Sequence, residues 1–261
     1  MTATLFIIDP QNDFCKPDGS LYVPNADADM QRLAKMIIAN ADKIDNIIMT
    51  ADDHTPCDIA HPSFWKTADG SSPAPFTQIS ANDVTSGKYV PADSKNTKTV
   101  IEYLTKLQAK CKTHTIWPTH CISGSIGACI YEPILQAAIQ WSIRMQKNFS
   151  IIRKGQYPLT EHYGAFEAEV PYANEISTQF NHELATLLYK SDTILIAGEA
   201  KSHCVANTIK QMSEKADYLI PKLHIVEDAM SPVTGFEHEA DNIITNVLET
   251  GASTIKTTDI I

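Results

Sequence analysis

The sequence has no apolar run of the roughly 20 residues that a membrane-spanning helix needs. Its opening residues, Met1-Thr2-Ala3-Thr4, carry no basic segment and lead straight into an apolar strand, so a cytoplasmic protein without a secretory leader is expected. Basic charge is in deficit: 21 Lys and Arg stand against 31 Asp and Glu, a net charge of −10. That argues against nucleic acid or an anionic membrane as a partner and points to no particular substrate. None of the six cysteines (Cys15, Cys57, Cys111, Cys121, Cys129 and Cys204) forms a CxxC pair, and without a leader they read as reduced thiols. There is no internal repeat. With 43% hydrophobic and 20% charged residues over 261 positions, the composition is that of a soluble globular protein, and one domain over 1–261 is expected.

What is present is a series of apolar strands, several of which stop at a chemically capable residue. Leu5-Phe6-Ile7-Ile8 ends on Asp9, where Pro10 lacks the donor to continue a ladder. Asn46-Ile47-Ile48-Met49-Thr50 leads into Asp52-Asp53-His54, with His61 after a loop. A carboxylate and an imidazole two apart on extended chain can face the same way and share a metal. Phe149-Ser150-Ile151-Ile152-Arg153 runs into Lys154-Gly155. Thr193 to Ala197 breaks at Gly198, and Cys204 opens a stretch of helical spacing, Val205 to Met212. A cysteine there would meet free amides and a helix dipole, which lower a thiol pKa and could hold an oxyanion. Leu223 to Ala229 reads as a further strand and Ala252 to Lys256 as an edge strand. Helical periodicity marks Asp29–Asn40, Lys95–Lys112, Ile134–Arg144, Asn181–Tyr189 and Glu239–Leu248. Residues 68–93, rich in Ser, Pro, Gly and Asp, read as an irregular excursion, so that about 70–113 forms an inserted loop-helix segment.

Strands alternating with helices predict an α/β fold, an open and mostly parallel twisted sheet with helices on both faces. Such sheets bind ligands at the carboxyl ends of their strands, which would bring Asp9, Asp52, Lys154 and Cys204 to one edge. Each also has a plainer reading: a turn carboxylate, a loop triplet, a solvated lysine, a buried helix cysteine. His120 in Trp117-Pro118-Thr119-His120-Cys121 reads either as a third ligand beside Asp52 and His54 or as a hydrogen-bonded loop histidine.

Five blocks together resemble the nicotinamidases and pyrazinamidases of the isochorismatase-like cysteine hydrolase superfamily. They are Ile8-Asp9-Pro10-Gln11-Asn12-Asp13-Phe14; Asp52-Asp53-His54 with His61-Pro62-Ser63-Phe64; Trp117 to Cys121 with Gly124 and Gly127; Lys154-Gly155 with Tyr163-Gly164-Ala165-Phe166; and Gly198 to Val205. They occur in the family's order. The resemblance implies Cys204 as nucleophile, Asp9 as proton acceptor and Lys154 as the cation between them. It implies one divalent ion (zinc, iron or manganese) on Asp52, His54 and His120, with His61 a fourth candidate. Phe14, Trp117, Tyr163 and His203 match positions that sandwich a ring, and Ala200-Lys201 matches the family's cis bond on the oxyanion side. The implied partner is a small-molecule amide such as nicotinamide, with a homo-oligomer left open. Lys201-Ser202 stands where the family often has Thr-Asp, and the 70–113 segment exceeds the usual span; it reads as a lid, an oligomer contact or a different substrate wall. The alternatives are a related amidase on another small amide or carbamoyl compound, and a non-catalytic metal-binding member of the fold.

Overall fold

The computed structural model describes residues 2–259. In chain order its elements are β1 (Ala3–Ile8), α1 (Asn12–Cys15), α2 (Ala26–Ala39), β2 (Asn46–Asp52), β3 (Trp65–Thr67), β4 (Gln78–Ile79), α3 (Ala81–Thr85), β5 (Tyr89–Pro91), α4 (Thr97–Ala109) and β6 (His114–Thr115). There follow α5 (Glu132–Met145), β7 (Ser150–Lys154), α6 (His182–Tyr189), β8 (Thr193–Gly198), α7 (Ala206–Lys215), β9 (Leu223–Val226), α8 (Asp241–Glu249) and β10 (Ser253–Ile255). Among the described residues no helix is long and apolar enough to cross a membrane.

Six strands form one sheet in the order β10-β9-β8-β1-β2-β7, every pairing parallel. Side chains alternate across it. Leu5, Ile7, Ile47, Met49, Leu195 and Ala197 pack on the side of α2 and α5, while Phe6, Ile8, Ile48, Ile194 and Ile196 pack on the side of α6 and α7. A sheet covered on both faces accounts for strands that are apolar without alternation. The expected open parallel sheet is therefore observed. From central β1 the chain builds outward through β2 and β7, then returns to add β8, β9 and β10 on the other side. The direction of winding reverses between β1 and β8, where such sheets place a ligand crevice.

That junction is tight. Ile8 pairs with Gly198, whose φ is 115°, and a Cβ on Gly198 would lie 2.1 Å from the Ile8 carbonyl oxygen. Gly198→Ala is expected to destabilise the fold by roughly 3 kcal/mol or more, combining a disfavoured left-handed backbone with overpacking. Urea unfolding measures this, and an unchanged midpoint would contradict the packing described.

Two expectations need correction. Residues 68–93 are not uniformly irregular: β3 pairs with β5, β4 pairs with β6, and Ser80 and Asp83 close a capping box on α3. The reason is apolar burial. Trp65, Ile79, Val84, Val100, Tyr103, Leu104 and Ile116 form a core of their own, and the polar composition of the intervening turns conceals it. Cys204 also does not occupy the first turn of an α-helix, since Lys201–Val205 form a π-helical turn and α7 starts only at Ala206. The wider turn brings the chain from the strand tip to the helix axis; such turns often mark functional sites.

Candidate active site

Four strand tips converge. Asp9 follows β1, Asp52 ends β2, Lys154 ends β7, and Cys204 lies beyond β8. The Lys154 ammonium sits among them, 3% exposed. It donates to Asp52 Oδ1 at 2.6 Å, to the His162 carbonyl at 2.9 Å and to Cys204 Sγ at 3.7 Å. Asp9 Oδ2 lies 2.9 Å from the same nitrogen, a charge contact outside hydrogen-bond geometry that leaves this oxygen open to the thiol proton. Thr50 holds the other side of Asp9: its hydroxyl donates to Oδ1 at 2.5 Å and accepts from the Asp9 amide at 3.0 Å.

Burial alone would lower the Lys154 pKa, but the Asp52 and Asp9 carboxylates outweigh it and keep the ammonium well above its ordinary value. Burial pushes Asp9 up, opposed by Lys154. For Cys204, burial pushes the thiol well up; Lys154 pulls it down, and Asp9 and Asp52 push it further up. The lowered thiol pKa expected from a helix terminus is thus overturned. Desolvation and two carboxylates exceed the pull of one lysine, which favours the protonated sulfur.

Cys204 faces a cavity of about 30 Å³. Phe14, Trp117, Tyr163 and His203 line it, together with Ala200. Trp117 Nε1 donates to the Tyr163 hydroxyl at 2.9 Å, and its ring stands edge-on to His203 at 5.0 Å between centroids. Asp52, His54 and His120 also line the cavity, the His120 ring 5.4 Å from that of Phe14 between centroids. Asp9, Lys154 and His61 lie behind these residues, each 3% exposed or less.

Ligand atoms of His54, His61 and His120 lie within 4.8 Å of one another, a buried cluster that could hold a metal ion. Asp52 Oδ2 is 3.8 Å from His54 Nε2. The cluster has the outer support that metal-binding imidazoles use. His120 Nδ1 is 2.8 Å from the Pro118 carbonyl, which leaves its Nε2 for an ion, and His54 Nδ1 faces Asp58 at 3.3 Å. Burial drives His61 down to about 2 and His120 down to about 4, so both imidazoles are neutral and carry lone pairs. His61 Nε2 lies 3.2 Å from His120 Nδ1, a hydrogen-bond distance, and His61 Nδ1 is buried with no partner among the described residues. The residues present fit a divalent ion on a mixed N/O set.

Lys201 is a further correction. The cis peptide is Glu199–Ala200, not Ala200–Lys201. The Lys201 amide is already committed, donating to the Ser231 carbonyl at 2.8 Å as the π turn opens, so the chain reverses one residue earlier. Sequence reasoning also missed Val23, Glu161, His162 and Val233, all of which line the cavity. Glu161 and His162 directly precede Tyr163, and an acid-imidazole pair seven residues past Lys154 was a usable signal. Glu161 is 4% exposed, one of its oxygens has no hydrogen-bond partner, and burial raises it to about 8. Val233 carried no signal; it arrives from a loop beyond β9.

No protein-family model matches the chain. A curated nicotinamidase of Saccharomyces cerevisiae is 25% identical over 213 residues, 81% of this chain and 81% of that protein. Among solved structures, the yeast nicotinamidase bound to the inhibitor nicotinaldehyde superposes with a TM-score of 0.65 at 17% identity, covering 98% of this chain and 100% of that one. Pyrazinamidase of Pyrococcus horikoshii in complex with zinc gives 0.56 at 17% identity, covering 98% and 99%. By its strand order and by these neighbours the chain has the isochorismatase-like hydrolase fold, and its sequence likeness is to nicotinamidase.

Proposed function

We propose that the chain is a cysteine amidohydrolase acting on nicotinamide or a closely related aromatic amide, releasing nicotinate and ammonia, an activity that belongs to NAD salvage. One observation carries this: a thiol, an ammonium and a carboxylate meet at Cys204, which lines a cavity shared with aromatic rings and imidazoles. The curated relative and the zinc-bound pyrazinamidase support the same reading.

In this mechanism the Cys204 thiol gives its proton to Asp9 Oδ2 as the sulfur bonds to the carboxamide carbon. Lys154 holds Asp9 and the sulfur in register and stabilises the charge that passes between them. The oxygen of the tetrahedral intermediate faces the amides of Ala200 and Cys204. Asp9 then protonates the amide nitrogen, the C–N bond breaks, and ammonia leaves an S-acyl enzyme. Water adds to that thioester while Asp9 takes its proton; the C–S bond breaks and the proton returns to sulfur, freeing the acid. Asp52, His54, His61 and His120 would hold a divalent ion, which when bound supplies a Lewis-acid or water contact for the ring nitrogen. A cavity of about 30 Å³ has room for about one water. A bound ring therefore needs more room than this beside Trp117 and His203, which pack with Phe236 at 4.9–6.0 Å between ring centroids.

Ammonia release from nicotinamide, pyrazinamide and a non-aromatic carbamoyl compound, with and without a chelator, tests the reading. The pyridine and pyrazine amides are expected to turn over, with at least a tenfold loss on chelation that added zinc, iron or manganese restores. Turnover of the carbamoyl compound alone would favour the related amidase. A metal-free protein inert on all three would favour a binding role.

A further inference from the structure

Behind the oxyanion side lies a second carboxyl pair that the chemistry above does not use. Glu199, at the tip of β8, is wholly buried, and Asp29, on α2, is 2% exposed. Glu199 Oε2 accepts the Ser231 amide at 3.1 Å, and the Ser231 hydroxyl donates to Asp29 Oδ2 at 2.5 Å. Asp29 Oδ1 pairs with Arg32, whose Nε donates to the Asp228 carbonyl at 2.8 Å. Glu199 Oε1 has no donor in reach. A buried carboxylate oxygen left without a donor is costly, whereas a carboxylic acid there becomes a donor itself. Two buried carboxyls bridged by Ser231 beside one arginine favour a single negative charge between them. Burial and the Asp29 charge both raise Glu199, the acid of the pair.

The pair also joins two segments of the site. Gly198 N donates to the Ala229 carbonyl at 3.0 Å, Lys201 N to the Ser231 carbonyl at 2.8 Å, and Val233 N to the Ser202 hydroxyl at 3.0 Å. Together with the Ser231 amide on Glu199, these bonds lash residues 229–233 to residues 198–202. The first segment supplies Val233 to the cavity wall, and the second leads through Ala200 to Cys204.

We propose that Glu199 is a positioning residue: as the acid of a Glu199–Asp29 pair it ties the Ser231 segment to the turn bearing the Ala200 and Cys204 amides, and so aims the oxyanion contacts without touching substrate. This rests on the amide-hydrolase reading. Glu199→Gln keeps both contacts, its oxygen accepting from Ser231 and its amide donating to Asp29. Glu199→Leu removes both and leaves Asp29 compensated by Arg32 and the Ser231 hydroxyl. The expected result is a kcat within about threefold of wild type for E199Q. For E199L, kcat falls about 30- to 100-fold, the range of a displaced oxyanion donor, with KM changed less than threefold. Two readouts do not depend on turnover. Nicotinaldehyde adds to the Cys204 sulfur, the thiol proton ending on its oxygen, which then occupies the oxyanion contacts; its affinity is expected to fall in E199L by the same factor as kcat. Alkylation of Cys204 by iodoacetamide forms no oxyanion and is expected to keep its wild-type rate. E199L with wild-type kcat and aldehyde affinity overturns the proposal, as does an E199Q as slow as E199L. If E199L does not fold, Glu199→Met, unbranched and of similar length, carries the same expectation. A wild-type protein inert on every amide defeats the hydrolase reading instead, and the aldehyde and alkylation comparison still reports on Glu199.

Discussion

Cys204→Ala is expected to lower kcat/KM for amide hydrolysis by about 10⁴-fold or more, the scale seen when a covalent nucleophile is removed. The other thiols cannot substitute. Cys15 and Cys121 are buried and do not line the cavity. Cys57, Cys111 and Cys129 are exposed and do not line it either. Among the six, Cys204 is the one with a lysine at 3.7 Å and an Asp9 carboxylate oxygen within 4.8 Å. The aromatic wall and the imidazole cluster are untouched by the change, so the variant is expected to bind nicotinamide within a fewfold of wild-type affinity, readable by calorimetry. Ammonia release within tenfold of wild type in Cys204→Ala would remove the covalent mechanism.

Lys154→Met is expected to damage both activity and stability. The ammonium is the one cation within 3 Å of both Asp9 and Asp52 among the described residues. Without it Asp9, 0% exposed, has no cation in reach among the described residues, and Asp52, 5% exposed, keeps only its contact with His54 at 3.8 Å. Removing one partner of a buried ion pair costs about 3–5 kcal/mol. Turnover is expected to fall by about 10³-fold or more, because the sulfur loses its neighbouring positive charge and Asp9 loses its orientation. Denaturant unfolding and steady-state assays on the same preparation separate the two effects. A Lys154→Met protein with wild-type stability would mean that the carboxylates are not jointly held by this residue.

Much of this site was legible in the chain itself because its residues sit at the ends of strands. An apolar run such as Leu5 to Ile8 or Ile194 to Ala197 declares a buried strand locally, and in a parallel sheet strand ends share an edge. Asp9, Asp52 and Lys154 could therefore be placed at one edge before any distance was known. Phe14, Trp117, Tyr163 and His203 were singled out by resemblance alone, and all four line the cavity. Glu161 and His162 were passed over because polar residues in a loop give no periodic signal, although burial makes them part of the wall. The ladders of the 70–113 segment escaped for a related reason: strands of two or three residues fall below any readable period.

The direction of the Cys204 pKa shows where local reasoning stops. Sequence position suggested amides and a dipole that favour a thiolate, which is a property of one turn. The thiol's actual environment is set by β1, β2 and β7, which bring two carboxylates and a lysine from fifty or more residues away. The carboxyl pair of Glu199 and Asp29 is of the same kind, since each acid is unremarkable in its own segment and unusual only against the other. By itself the sequence determined the strands, the class of sheet and the residue types at the strand ends, because these follow from short-range apolar patterning. The order of the strands, the protonation of the groups between them and the fit of the histidines to one ion were decided only by tertiary structure, because desolvation and Coulomb interactions depend on distances through space.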